Sequence, residues 1–289
     1  IGMDHIEVDL HLHTNHSDGD LSPSDLVELC FERGLQTIAV TDHDTTSALQ
    51  EARECASKFG IRLINGIELG TNYLDDEVHI LGYGIDLQDA GFQDKLSIFR
   101  KDRLLRGKKI IEKLVSIGLN ISWEMVRNIA KGDSVGRPHI AMALVELGYA
   151  ANIKDAFKKY LNTDSPGFIP REMVRPTEAV EILRDNGALP VLAHPLLSNS
   201  KSGRKSIQNL VELIPELCEA GLMGIEVYYG DYDSQQVSRL IELAEKYSLI
   251  KCGGSDYHNS ENRDDPHPGD VGPPQESVKQ IDLAISREF

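Results

Sequence analysis

The 289-residue chain has few of the residues that cross-link small secreted proteins or span membranes. Its four cysteines lie far apart and include no Cys-x-x-Cys pair. This spacing argues against a disulfide framework and against a thiolate zinc site, and it favours buried thiols. No apolar run approaches the roughly 20 residues that a membrane helix needs. With 40% hydrophobic and 26% charged residues, the composition is that of a globular protein.

The first residues, Ile1 to Asp4, contain neither a basic stretch nor the apolar segment of a secretory signal. We therefore expect a cytoplasmic protein. A length of 289 residues exceeds the usual size of one domain. It matches an α/β barrel of about 250 residues that carries an insertion.

The net charge of −16 argues against a nucleic-acid partner, because phosphate backbones attract basic surfaces. The charge is nevertheless unevenly distributed. Residues 91–175 contain 16 Lys and Arg against 9 Asp and Glu, a net charge of +7. The rest of the chain has 14 against 37, a net charge of −23. An acidic body therefore carries a basic segment, and part of the acidic charge is what a site for several cations would need.

A His-x-His pair follows the first predicted strand. Apolar and acidic residues alternate over residues 6–10, which predicts a short strand whose end directs His11 and His13 to one face. Two imidazoles at this spacing suit a shared metal ion, and Asp18 follows five residues later. Alone the pair is modest evidence, since it also occurs on ordinary exposed strands.

Residues of the same kind recur near the ends of the later predicted strands. They are His43, Glu68, His79, His194, Asp256 and His258. Parallel barrels place their active sites at the C-terminal ends of their strands, so these side chains are expected to converge. The set as a whole predicts a metal centre, although any single member is more often a structural hydrogen-bonding group.

The order of predicted elements gives the fold class. Seven strands are predicted, over residues 6–10, 37–41, 61–69, 77–84, 189–193, 222–228 and 249–254. Strand, helix and strand alternate from the N-terminus, which predicts a parallel sheet with right-handed crossovers. Residues 91–172 contain only predicted helices. We therefore predict an α/β barrel built from residues 1–90 and 173–289, interrupted by a helical insertion.

Several motifs of the chain resemble those of the polymerase and histidinol phosphatase (PHP) family. They are Asp9-Leu10-His11-Leu12-His13-Thr14, Ser17-Asp18-Gly19, Thr41-Asp42-His43-Asp44, Gly66-Ile67-Glu68, His79, Ala193-His194-Pro195 and Gly254-Ser255-Asp256-Tyr257-His258. The similarity is closest to the branch that acts on nucleoside 3′,5′-bisphosphates and short RNA 5′ ends. The resemblance implies a distorted seven-stranded barrel with a trinuclear metal site and an inserted helical subdomain.

Carried over by position, the resemblance implies three divalent ions, Mn²⁺, Fe²⁺ or Zn²⁺. The first would be held by His11, His13, Glu68 and Asp256, the second by Glu68, His79 and His194, and the third by Asp18, His43 and His258. Some family members have a histidine in place of Asp18, and the nearby His16 is the alternative ligand. We favour Asp18, because Ser-Asp-Gly is the pattern of the bisphosphatase-like branch.

The chemistry that the resemblance implies is attack by a metal-bound hydroxide. Metal ions neutralise the phosphate oxygens and lower the pKa of a bound water from 15.7 toward ~7. No side-chain nucleophile is then required. His194 and Asp256 are candidates for proton transfer to the leaving oxygen, although both are first of all predicted ligands.

Substrate recognition is expected from the insertion. Arg137 and His139 stand at the start of a predicted helix, where a guanidinium, an imidazole and backbone N–H groups can meet a phosphate. The resemblance supports this role. The alternative is that Arg137 lies on the surface and His139 packs within the helix. Lys201 and Arg204, in the loop after His194, are weaker candidates.

Three functions are compatible with the sequence. The first is hydrolysis of a phosphomonoester of a small nucleotide, such as a nucleoside 3′,5′-bisphosphate. The second is a 5′-to-3′ exoribonuclease on short RNA. The third is a metal-stabilised regulatory domain without turnover, which is disfavoured because none of the nine ligand positions is lost. We expect no duplex DNA, membrane or obligate protein partner.

Overall fold

The computed structural model describes residues 6–73, 76–170, 174–197, 207–259 and 266–286. Its seven strands are β1 Val8–Leu12, β2 Thr37–Val40, β3 Arg62–Tyr73, β4 Asp76–Tyr83, β5 Leu189–Leu192, β6 Gly224–Tyr229 and β7 Ile250–Gly254. Each lies within a few residues of a predicted strand.

The helices alternate with these strands except between β3 and β4, which follow each other directly, and in one long helical stretch after β4. They are α1 Pro23–Glu32, α2 Leu49–Phe59, α3 Ala90–Ser116, α4 Trp123–Ile129, α5 Arg137–Glu146, α6 Ile153–Ala156, α7 Pro176–Asp185, α8 Ile207–Ala220, α9 Ser234–Lys246 and α10 Gln275–Ile285. A π-helical turn, Phe157–Leu161, continues α6. Helices α3 to α6 correspond to the predicted insertion of residues 91–172, although α3 begins one residue earlier, and the exact boundaries of the insertion stay a prediction.

The strands form one sheet in chain order from β1 to β7. Its two edges meet, because Leu12 pairs with Tyr257 and the His13 N–H donates to the Tyr257 carbonyl over 3.0 Å. The carboxylate of Asp9 strengthens this seam by accepting the N–H groups of Ser255 and Gly269, each over 3.0 Å. The sheet is therefore a nearly closed seven-stranded barrel, which confirms the predicted fold class.

The prediction of a parallel sheet is wrong for one strand, because β4 is antiparallel to both β3 and β5. Only two residues separate β3 from β4, whereas a parallel crossover needs a dozen or more. Glu68 and His79 consequently lie within strands and not at their C-terminal ends. Since β4 runs in the opposite direction, its beginning lies beside the second half of β3, and His79 pairs with Gly70. Both side chains thus reach the same end of the barrel as the others.

Separate apolar clusters hold the layers together. Leu26 and Val27 of α1 pack with Ile38 of β2, and another cluster joins α7, α8 and α9 to β3 through β6. The helices of the insertion enclose a cluster of their own, which includes Ile110 and Leu144. The insertion therefore has its own apolar core beside that of the barrel.

The cysteines follow the predicted pattern of unpaired thiols. Cys30, Cys55 and Cys252 are buried, Cys218 is partly exposed, and all four are free. Within the described ranges, no helix combines the length and the apolar character that a membrane crossing requires.

The insertion docks on the mouth of the barrel through close backbone contacts and ion pairs. A Cβ atom added to Gly132 would lie 2.2 Å from the His16 carbonyl oxygen, so only glycine allows this approach. Arg100 Nη1 donates to the Asp44 carbonyl over 3.0 Å, and Arg103 Nε donates to the Asp44 carboxylate over 2.9 Å. The insertion therefore covers the loops that follow β1 and β2.

We expect Gly132→Ala to lower the free energy of unfolding by about 1–3 kcal/mol, because the added methyl group collides with backbone that cannot rotate away. Urea denaturation measures the change. Gly91→Ala is the matched control, since a Cβ there meets its nearest atom at 3.4 Å, an ordinary contact. Equal stability of the two variants would show that the insertion does not approach the loop this closely.

Candidate metal centre

The end of strand β1 places the fully buried imidazoles of His11 and His13 beside the carboxylates of Glu68 and Asp256. His11 Nε2 lies 3.3 Å from Glu68 Oε2 and 3.1 Å from Asp256 Oδ1. His13 Nε2 lies 3.2 and 3.1 Å from the same two oxygens. These four residues form one compact group of possible metal ligands, with the membership predicted for the first ion.

The other oxygen of Glu68 faces a second group. Its Oε1 lies 2.7 Å from His79 Nδ1 and 3.0 Å from His194 Nε2. His43 Nδ1 lies 3.1 Å from Oε2. Glu68 is therefore placed between two groups of ligands, as a bridging carboxylate would be.

Asp18 gathers the remaining histidines. Its carboxylate lies 3.4 Å from His43 Nε2 and 3.4 Å from His258 Nε2, and His13 completes a third group of possible ligands. His16 is engaged elsewhere, because its Nδ1 lies 2.7 Å from the Ser47 hydroxyl. The geometry therefore favours Asp18 over His16 as the ligand from this loop.

Unsatisfied buried atoms test whether these residues fit a metal. Seven ring nitrogens and carboxylate oxygens of the three groups are buried without a hydrogen bond in the described protein, namely His11 Nε2, His13 Nε2, His43 Nδ1, Asp18 Oδ1, Asp18 Oδ2, Glu68 Oε2 and Asp256 Oδ1. Burying such atoms without a partner costs roughly 1–3 kcal/mol each, and more for charged groups. Divalent cations would satisfy them, and mixed nitrogen and oxygen donors suit manganese, iron or zinc. The residues therefore fit a metal centre.

The charged groups of the centre and their burial strongly shift one another's pKa values. Burial lowers the pKa of His43 to about 3, despite the carboxylates of Asp18 and Glu68 beside it. At His258, burial is outweighed by Asp18 and Asp256, and the pKa rises to about 10. Burial would also raise the pKa of Asp18, but the histidines around it hold that pKa well below its usual value. The carboxylates are therefore anionic, and positive charge must accompany them.

Two predicted ligands occupy the left-handed backbone region that favours glycine. His194 has φ 23° and Asp256 has φ 54°. Hydrogen bonds hold both: the His194 N–H donates to Glu226 over 2.7 Å, and the Asp256 N–H donates to the His11 carbonyl over 2.9 Å. The surrounding structure thus stabilises a strained backbone where these two side chains enter the site.

Glu226 is a site residue that the sequence analysis missed. It is fully buried, and its two carboxylate oxygens lie 3.0 and 3.1 Å from His11 Nδ1. A carboxylate in this position fixes the ring so that Nε2 faces the metal group. The signal was an acidic residue inside the apolar run of β6, Gly-Ile-Glu-Val.

A cavity of about 200 Å³ lies between the ligand groups and the insertion. Arg137 lines it, is 9% exposed, and stacks over the Phe157 ring at 5.4 Å. His139 is buried, and its Nδ1 accepts the Gly136 N–H over 3.1 Å, which favours a structural role. Lys201 and Arg204 lie outside the described residues.

Three further cavity residues were missed, namely Arg103, Arg106 and Glu77. Arg106 and Arg137 both contact the Glu77 carboxylate. Arg100, Arg103 and Arg106 recur every three residues along α3, and this spacing on a helix predicts one cationic face. That pattern was visible in the sequence, whereas the pairing with Glu77 was not.

We expect Glu226→Gln to weaken metal binding by roughly 10- to 100-fold, because His11 loses the charged group that orients it. Competition with a fluorescent chelator, with Mn²⁺ or Zn²⁺ as the ion, measures the affinity. Glu216→Gln, an exposed position on α8, is the control for the change in net charge. Equal affinities of both variants would mean that Glu226 does not support the centre.

Comparison with known proteins agrees with this geometry. The family model described as PHP domain matches residues 9–163. The 5′-3′ exoribonuclease Rnm of Salmonella typhimurium is 35% identical over 254 residues, which cover 86% of this chain and 84% of the relative. The 3′,5′-nucleoside bisphosphate phosphatase of Chromobacterium violaceum is 30% identical over 269 residues, with 92% and 93% covered.

The fold is also that of a solved structure. An amidohydrolase from Chromobacterium violaceum, determined with bound sulfate and no metal, superposes with a TM-score of 0.87 at 26% identity. The match covers 96% of both chains. The resemblance seen in the sequence is thus confirmed: the chain belongs to the PHP domain family and is a hydrolase of the metal-dependent phosphoesterase type.

Proposed function

We propose that the protein hydrolyses the 3′-phosphate ester of a nucleotide that also carries a 5′-phosphate, a nucleoside 3′,5′-bisphosphate. One observation carries the proposal: a single cavity contains two different places for an anion. Seven of the predicted metal ligands and the guanidinium groups of Arg106 and Arg137 line this same cavity. A substrate with two phosphates can occupy both at once, one phosphate reacting and the other held.

The side chains of Arg106 and Arg137 offer donor groups that suit a phosphate. Arg106 donates through Nε to the Ile169 carbonyl over 2.7 Å and contacts Glu77 through Nη1. Its Nη2 is buried and has no hydrogen-bond partner in the described part of the chain. A guanidinium so placed offers a directed N–H group to a phosphate oxygen. We define Arg106 and Arg137 as the arginine subsite.

Apolar side chains complete the cavity. Phe157 and Ile110 of the insertion and Leu197, which follows His194, line it together with the charged groups. A nucleoside has an apolar face that such side chains can cover, and inorganic phosphate has none. This composition supports a nucleotide over a smaller phosphate ester.

The reaction follows from the charges of the substrate. We propose that the nine predicted ligands, His11, His13, Asp18, His43, Glu68, His79, His194, Asp256 and His258, hold up to three divalent ions. When bound, such ions supply positive charge to the phosphate oxygens and lower the pKa of water at the site. Glu68 keeps the ligand groups at a fixed separation through its two oxygens. The arginine subsite orients the ester by holding its second phosphate.

We propose that proton transfer to the leaving oxygen falls to His194 or Asp256, the candidates from the sequence that border the cavity. Because Asp256 is anionic, it would first have to accept the proton that the attacking water gives up. Asp256 is positioned by Tyr229, whose hydroxyl donates to Oδ2 over 2.9 Å. The Tyr229 ring also contacts His194 edge-on, with ring centroids 5.9 Å apart. Tyr229 thus holds both candidates toward the substrate.

A 5′-to-3′ exoribonuclease is the second candidate, favoured by the 35% identity to the Salmonella enzyme of that name. Recognition would be the same: the 5′-phosphate in the arginine subsite and the phosphorus on the 3′-oxygen at the ligand groups. The two substrates differ in the reacting phosphate. In the bisphosphate it is a terminal phosphate, whereas in the RNA it links the first nucleotide to further nucleotides.

Adenosine 3′,5′-bisphosphate and a 5′-phosphorylated short RNA, each with added Mn²⁺, distinguish these candidates. We expect release of inorganic phosphate and adenosine 5′-monophosphate from the bisphosphate. Glu68→Ala should slow the reaction by at least about 100-fold, because it removes a ligand that the groups share. Stepwise shortening of the RNA would promote the second candidate. Bound metal without turnover of either compound would contradict the proposed substrate class.

We expect Arg137→Lys to raise the KM for the bisphosphate by roughly 10- to 100-fold, since lysine cannot offer two parallel donors to a phosphate. The KM for adenosine 3′-monophosphate, which lacks the second phosphate, should change much less. Arg239→Lys, exposed on α9, is the matched control. A parallel rise for both compounds would show that Arg137 does not read the second phosphate.

A further inference from the structure

Glu77 lies inside the arginine subsite, although it belongs to none of the three ligand groups. It stands on β4 two residues before His79, and its side chain is 7% exposed. One carboxylate oxygen contacts Arg106 of α3, and the other contacts Arg137 of α5. A carboxylate of the protein therefore binds the two guanidinium groups that we assign to the substrate.

The charge of the subsite follows from this arrangement. Arg106 and Arg137 contribute two positive charges, and Glu77 cancels one of them. Arg103, the neighbouring cation on α3, is paired with Asp44 over 2.9 Å. Among the described residues, the arginine subsite therefore has a net charge of +1, and a phosphate bound there would be repelled by a carboxylate in the same cavity wall.

The arginines do not depend on Glu77 alone for their positions. Arg106 is anchored to the Ile169 carbonyl, and Arg137 is held by the Leu161 carbonyl over 3.4 Å and by the Phe157 ring. Neutralising Glu77 would thus leave both guanidinium groups near the cavity while removing the repulsion. We therefore expect the loss of the Glu77 charge to change the affinity for a phosphate more than any small shift of the two arginines does.

We propose that Glu77 is a positioning residue that competes with the substrate for the arginine subsite and so keeps the affinity for the second phosphate moderate. This inference rests on the proposed function. In the unliganded protein Glu77 holds the guanidinium groups side by side. When the product, a nucleoside 5′-monophosphate, leaves, the carboxylate takes its place on the arginines and no buried cation is left unpaired.

The test is Glu77→Gln in the metal-loaded enzyme. We expect inhibition by adenosine 5′-monophosphate to become at least about tenfold tighter, about 1.4 kcal/mol, because a charge a few ångströms from the phosphate is removed. The KM for adenosine 3′,5′-bisphosphate should fall relative to that for adenosine 3′-monophosphate. Glu77 lies 3.6 Å from His79 Nε2, so its substitution could also affect the metal centre. Both compounds react at that centre, so such an effect cancels in the ratio of their KM values.

Glu112→Gln, an exposed position on α3, is the control for overall charge and should leave the ratio unchanged. Glu77→Met is a second neutral variant of similar length, for use if the glutamine protein does not fold. Tighter binding cannot come from partial unfolding, so the expected result is not one that a merely structural residue would give.

Two results would overturn the inference, and they are distinguishable. If Arg137→Lys raises the ratio of the two KM values but Glu77→Gln leaves it unchanged or raises it, the subsite stands and the role of Glu77 is wrong. If neither variant changes the ratio, the arginine subsite itself is wrong, and the inference about Glu77 fails with it.

Discussion

One buried carboxylate organises this protein. Glu68 lies within 3.3 Å of a ring nitrogen of five histidines, His11, His13, His43, His79 and His194. These residues come from β1 and the residue after it, from the segment after β2, from β4 and from the segment after β5, so the barrel must close for them to meet. So many polar groups cannot be buried together without added positive charge. Closing the barrel therefore brings together polar groups that need bound cations to offset the cost of their burial.

Much of this arrangement was predictable from the sequence. The strand positions and the nine candidate ligands followed from apolar runs with histidine or carboxylate nearby, and the assignment of these ligands to three ions came from the resemblance to the PHP family. The direction of β4 was not predicted, although the seven residues between the predicted strands 61–69 and 77–84 are too few for a parallel crossover. Glu226 and Glu77 were also missed. Glu226 was marked only by its place inside the apolar run of β6, and its partner His11 is distant in the sequence. Glu77 pairs with two arginines that lie far along the chain, so the sequence did not reveal this contact.

The basic insertion has a different meaning in the structure than its charge alone suggested. Arg103 pairs with Asp44, and Arg106 and Arg137 share Glu77. Part of the positive charge of residues 91–175 is thus used to attach the insertion to carboxylates of the acidic barrel. A substrate phosphate must therefore either use donors that have no such partner or compete with these carboxylates for the arginines. A count of lysines and arginines therefore overstates how strongly the cavity attracts anions.

The insertion leaves the barrel after β4, and the chain re-enters it near α7, before β5. None of the nine predicted ligands lies within the inserted segment. During evolution such proteins can therefore shorten, lengthen or replace the insertion without losing a residue of the candidate metal centre. Substrate choice and bond-breaking chemistry can diverge separately, so one metal scaffold can serve a range of phosphate esters.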